Sequence, residues 1–192
     1  MSDLQKLLKF TEFTHKFQQV KRMIFVNHED RMENDSEHSL QVALLCWYFV
    51  SYKKLDYDLD KIIKYALVHD LVETYAGDTY FYGNRDQKAE KEAEALKKIE
   101  TEFPDAKDIT NLIHDYEQEV DKEAKFVNCF EKIIPVLNIY LDNGKTWTVN
   151  KVTIEMLLTK KAPKVTRCEE LVEIWKEFEE LLKENKHMFY EV

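Results

Sequence analysis

Three glycines and three prolines are all that punctuate 192 residues. Tight hairpins depend on glycine, and a sheet protein of this length needs many of them. The chain therefore reads as all-α, with helices joined by few sharp turns. Hydrophobic residues make up 44% of it, enough for a core, and the length suits a single domain over residues 1–192.

Hydrophobic periodicity orders the rest. Leu4, Leu7, Leu8, Phe10, Phe13 and Phe17 mark a first helix over 3–20. Residues 21–36 lose periodicity and read as a long polar loop, a kind of segment that often carries function. Ser36 is the expected N-cap of a central helix over 37–53, apolar on most sides. Asp58 is placed to cap the next, 59–75. An irregular aromatic and polar segment, 76–86, leads to an exposed helix over 87–102 with many i,i+4 charge pairs. Pro104 marks a break before helices over 105–119 and 122–142, the second bent at Pro135 and followed by Gly144. A short helix near 150–160 and an amphipathic one over 166–187 complete a bundle of about eight helices. The last of these, over 150–187, pack on a motif-bearing core of about 15–140.

Charge narrows the partners. Lys and Arg total 28 against 37 Asp and Glu, a formal charge of −9, which disfavours a nucleic-acid binder that must neutralise phosphates. A small phosphate ligand stays compatible, because a metal and one or two arginines reverse the local field. No apolar run approaches the ~20 residues of a membrane span. Cys46, Cys129 and Cys168 lie far apart without a CxxC, as in a reduced cytosolic protein, and the N-terminus lacks the features of a signal peptide. The expected location is the cytoplasm.

The chemistry gathers in Ala66-Leu67-Val68-His69-Asp70-Leu71-Val72-Glu73-Thr74-Tyr75-Ala76-Gly77-Asp78. His69 and Asp70 stand side by side just past an apolar run. Glu73, four residues beyond His69, shares its face if the helix continues. Gly77 can end the helix before Asp78. His38, near the start of the central helix, adds a second imidazole, and a carboxylate near 131 adds another oxygen. A mixed nitrogen and oxygen set suits Mn²⁺, Co²⁺, Fe²⁺ or Zn²⁺, with Mg²⁺ a further candidate, better than Ca²⁺. A water on such an ion becomes a nucleophile at neutral pH, and a phosphate ester is a fitting substrate. His15, His28, His114 and His187 lack partners at telling spacings.

The run from His69 to Asp78 resembles the HD-domain metal-dependent phosphohydrolases, with their lone His, adjacent His-Asp pair and distant Asp. The stretch Ser36-Glu37-His38-Ser39-Leu40-Gln41-Val42-Ala43, about 31 residues before the His-Asp pair, narrows the resemblance to the YfbR-like 5′-deoxynucleotidases. The resemblance implies that His38, His69 and Asp70 hold a divalent metal ion and that Glu73 lies near the attacking water, with Asp78 beside it. It implies that Arg22 binds the phosphate of a nucleoside 5′-monophosphate and that the protein is a homodimer. The fourth ligand of the family is an Asp; here Glu131 takes its place in Glu123-Ala124-Lys125-Phe126-Val127-Asn128-Cys129-Phe130-Glu131-Lys132-Ile133-Ile134-Pro135. Met23 stands after Arg22, where the family often has a Trp that selects deoxyribose. The longer carboxylate at 131 motivates an alternative, a metal- or nucleotide-binding regulatory protein with weak or no turnover. An oxidative di-iron enzyme is a remoter reading, because no second ligand set occurs at a familiar spacing.

Overall fold

A computed structural model describes residues 1–82 and 87–191. The end of the irregular 76–86 segment, at 83–86, lies outside the described residues. The helices are α1 (Asp3–Phe17), α2 (Asp35–Lys53), α3 (Leu59–Val68), α4 (Glu73–Ala76), α5 (Lys88–Glu102), α6 (Lys107–Glu117), α7 (Lys122–Leu141), α8 (Lys145–Val149), α9 (Ile154–Val165) and α10 (Glu169–Glu184). Eight of them are ten residues or longer, in line with the periodicity. None is long and apolar enough to cross a membrane.

The polar stretch 21–36 differs from expectation. It contains two short strands, β1 (Lys21–Phe25) and β2 (Met32–Asn34), paired as a two-stranded sheet. The connection between them is made without glycine: His28 takes φ 61°. Lys54, Glu119, Asn143 and Lys151 also adopt positive φ. Polar residues here fill left-handed positions that glycine usually occupies.

The chain divides into two compact units, Met1–Arg22 with Glu33–Ala124, and Met23–Met32 with Lys125–Val192. In the first unit, Phe13, Phe17, Val72, Leu96, Ile99 and Ile113 share one apolar core. Helix α2 packs on α3. Its buried residues, Asp35, His38, Ser39, Val42, Ala43, Cys46, Phe49 and Val50, recur every three to four positions and form one face.

Two corrections to the helix ends place the chemistry. Asn34, not Ser36, caps α2. The Asn34 side chain accepts from the Glu37 amide, and the Glu37 carboxylate accepts from the Asn34 amide, each at 3.0 Å. Ser36 instead donates to Asn34 at 2.6 Å. The helix thus begins early and carries Asp35 on the same buried face as His38. At the other correction, α3 stops at Val68 instead of running to 75. His69 Nδ1 lies 2.8 Å from the Ala66 carbonyl, the group that the Asp70 amide would use in a continuing helix. The backbone then tightens to i,i+3 bonds, Leu71 to Val68 and Glu73 to Asp70. His69 and Asp70 therefore stand in a turn between two helices. Helix α4 closes on Gly77 at φ 74°, whose amide donates to the Glu73 carbonyl.

The second unit is built around Phe126, Ile133, Ile134, Trp147, Leu157 and Trp175, all at most 2% exposed. Trp147 stacks on Phe189 with centroids 4.2 Å apart. Gly144 turns the chain at φ 75°, where a Cβ would lie 2.1 Å from the Met188 carbonyl oxygen. No larger residue fits there.

Candidate active site

A carbonyl oxygen only accepts, so His69 Nδ1 donates to Ala66. That leaves His69 Nε2 facing Asp70 Oδ2 at 3.1 Å. His38, fully buried on α2, places Nε2 at 4.0 Å from the same oxygen. The two imidazole centroids are 5.4 Å apart. His38, His69 and Asp70 each offer a ligand atom within 4.8 Å of the other two. With Nδ1 committed to Ala66, His69 turns Nε2 to the Asp70 carboxylate, and the two ligand atoms are placed to share a cation. The donor set fits a divalent metal, with the Ala66 carbonyl fixing the His69 tautomer from behind.

Arg22, at the end of the first chain segment of this unit, reaches the same carboxylate. Its Nη1 is 2.9 Å from Asp70 and 3.3 Å from Asp35, and its Nε is 3.2 Å from Glu33. Burial works against the guanidinium charge, but Asp70, Glu33, Asp78 and Asp35 outweigh it and raise its pKa. Burial also opposes ionised Asp70, yet His69, Arg22 and His38 hold its carboxyl well below the usual range. Burial pushes Glu33 and Asp35 up to about 7 despite Arg22.

Glu73 is 3% exposed. Its Oε1 lies 3.0 Å from Lys88 Nζ on α5, while Oε2 is buried without a hydrogen-bond partner among the described residues. Burial first, then the charge of Asp70, pushes its carboxyl up to about 10, against the pull of Lys88. Oxygens of Asp35, Asp70 and Glu73 also lie within 4.8 Å of one another. Asp78 is half-buried, and its charge acts on Arg22, Asp35 and Glu73. Of the residues singled out in the sequence, Arg22, His38, His69, Asp70 and Glu73 come together in the first unit. Glu131 belongs to the second, on α7, where it is buried and paired with Lys132.

Three members of the cluster escaped the sequence reading. Asp35 carries a usable signal, lying one turn before His38 and Ser39 on the same face. Glu33 sits on a strand that was read as loop. Lys88 follows the irregular 76–86 segment, across which no spacing rule operates.

A lone histidine on one helix and a histidine–aspartate pair closing the next, in an all-helical frame, define an HD domain. Residues 14–170 match the HD domain family, and the chain belongs to it. It is 28% identical over 138 residues to 5′-deoxynucleotidase HDDC2 of Homo sapiens, covering 69% of this chain and 66% of that protein. The HDDC2 protein of Dictyostelium discoideum is 30% identical over 148 residues, covering 71% of this chain and 77% of that one. Among solved structures, a predicted metal-dependent phosphohydrolase from Magnetospirillum magnetotacticum MS-1 is similar, with a TM-score of 0.82 at 23% identity. That similarity covers 97% of this chain and 99% of the other. A conserved hypothetical protein from Pyrococcus furiosus is more distant, with a TM-score of 0.57 at 23% identity, over 88% of this chain and 98% of the other. Both likenesses speak to the fold.

Proposed function

We propose that this protein is a metal-dependent phosphohydrolase that releases phosphate from nucleoside 5′-monophosphates, the deoxy forms foremost. The observation that carries the reading is the facing of His69 Nε2 and Asp70 Oδ2 at 3.1 Å with His69 Nδ1 already committed to Ala66. The names of the relatives support the substrate class. His38, His69 and Asp70 hold the ion. Mn²⁺, Co²⁺, Fe²⁺, Zn²⁺ and Mg²⁺ all remain candidates. When bound, the ion lowers the pKa of a water and neutralises phosphoryl charge.

The protein's own groups do the rest. Arg22 grips the phosphate, retained by Glu33 and Asp35 once Asp70 is engaged elsewhere. Glu73, ionised once the divalent charge is in place beside it, accepts the proton of the attacking water, and Asp78 adds to the field that strengthens it as a base. The cytoplasm is the proposed location, in keeping with the buried thiols of Cys46, Cys129 and Cys168. A homodimer is proposed through α2, whose outer face exposes Leu40, Leu44, Trp47, Tyr48 and Tyr52 in one stripe.

The test is a phosphate-release screen over ribo- and deoxyribonucleoside monophosphates with each metal supplied. Release from at least one nucleotide, abolished by chelation, is expected. Metal binding with no turnover on any nucleotide would favour a regulatory protein instead.

A further inference from the structure

We infer that Lys88 is a positioning residue for Glu73. The inference rests on the reading of Glu73 as the proton acceptor and extends it to a residue on another helix. Lys88 stands at the first position of α5, a helix of 15 residues. A cation there opposes the partial positive charge of the helix N-terminus and is ordinarily disfavoured. What offsets it is two carboxylates: Glu73 Oε1 at 3.0 Å, and Glu92, one turn further along α5. Among the described residues, Lys88 is the cation that pairs with Glu73.

The geometry divides the labour between the two Glu73 oxygens. Lys88 holds Oε1. Oε2 stays buried and, among the described residues, without a hydrogen-bond partner, and a Glu73 oxygen lies within 4.8 Å of oxygens of Asp35 and Asp70. A carboxylate anchored at one oxygen cannot rotate away, so the group stays beside Asp35 and Asp70 with its second oxygen free of the lysine. Without the ammonium, Glu73 faces Asp35 and Asp70 as a third buried carboxylate that has lost its paired cation, and repulsion drives its side chain from that orientation. Glu92, paired with the same ammonium, steadies the lysine. The order of action is Glu92 on Lys88, Lys88 on Glu73, and Glu73 on water, so Lys88 itself touches no reacting atom.

The experiment is a double-mutant cycle on the metal-loaded protein, with Lys88→Gln, Glu73→Gln, the pair combined, and Lys88→Arg. Misplacement of a reacting group by about 1 Å costs ~10²-fold, so Lys88→Gln should lower kcat by up to ~10²-fold with KM and bound metal little changed. Lys88→Arg, which keeps a cation, should recover most of that loss. The combined variant should be no slower than Glu73→Gln alone, because Lys88 acts only through Glu73. A wild-type kcat in Lys88→Gln, losses that multiply in the combined variant, or failure of arginine to rescue would each overturn the assignment. If Glu73→Gln itself keeps wild-type kcat, the reading of Glu73 falls and takes this one with it. Should Lys88→Gln melt below the assay temperature, Glu92→Gln loosens the lysine without removing it. A smaller loss of kcat, again absent on the Glu73→Gln background, is then expected, and an unchanged kcat would overturn the inference.

Discussion

Asp121 and Asp70 lie in the same unit, and both are partly shielded from water, yet their surroundings are opposite. Asp121 accepts from Lys61 at 2.9 Å, from the Tyr65 hydroxyl at 3.1 Å and from the Ala124 amide at 2.8 Å. It starts α7 and has every partner it needs. Asp70 shares one arginine with Glu33 and Asp35, and the buried oxygens Asp35 Oδ2 and Glu73 Oε2 close by have no hydrogen-bond partner among the described residues. A structural carboxylate is paired in full; among the described residues, the carboxylates around Asp70 share the cations Arg22 and Lys88. Buried polar groups left unsatisfied are costly. Their presence at one place, beside two imidazoles, marks a site shaped for a ligand.

The sharpest break in that comparison is Asp70→Ala, which should abolish metal binding and phosphate release together. Elemental analysis and activity of the same sample check it, and a variant that keeps its metal refutes the ligand assignment. Next comes Glu131. Glu131→Gln should weaken metal affinity, while Glu131→Asp should leave a working site, because the ion needs a second anionic ligand rather than this side-chain length. Unchanged affinity in Glu131→Gln, by calorimetric titration, would mean that the fourth ligand lies elsewhere.

A milder effect concerns acid and base. Glu33 rises from its ordinary 4.5, and Asp35 from its ordinary 3.8, to about 7 in the fold. Both bind protons more tightly folded than unfolded. Their contribution to stability is thus full below the ordinary values and is lost as pH rises through 7. Asp70 has the opposite sign, but its contribution fades only in acid below 3.8. The metal-free protein should therefore melt at lower temperature at pH 8 than at pH 5.5, and metal should restore more stability at the higher pH. Melting curves of metal-free and loaded protein test this, and a metal-free Tm that holds or climbs across that range contradicts it. Smallest for catalysis is Asp121→Asn. It should cost about 1–3 kcal/mol of stability through weakened hydrogen bonds and leave kcat unchanged. A loss of kcat there would erase the distinction between the two aspartates.

Some of this was legible in the amino-acid order. Few glycines and prolines with persistent 3.6 periodicity imply helices, because local spacing alone decides which face of a helix is apolar. The short motifs around His38 and His69-Asp70 pointed to a metal for the same reason, since ligand types are written in the residues themselves. The strands at 21–25 and 32–34 were hidden because their turn borrows a left-handed conformation from His28 rather than from glycine. The end of α3 at Val68 was hidden because a side chain, His69, takes the carbonyl that the backbone would have used. Glu33 and Lys88 joined the site only through folding, whereas Asp35 stands one helical turn from His38 in the sequence. An ion pair between α5 and Glu73 depends on where two helices pack, and no spacing along the chain encodes that. Tertiary structure also decided which carboxylates are left without partners, because burial and pairing are properties of the assembled neighbourhood and not of any one residue.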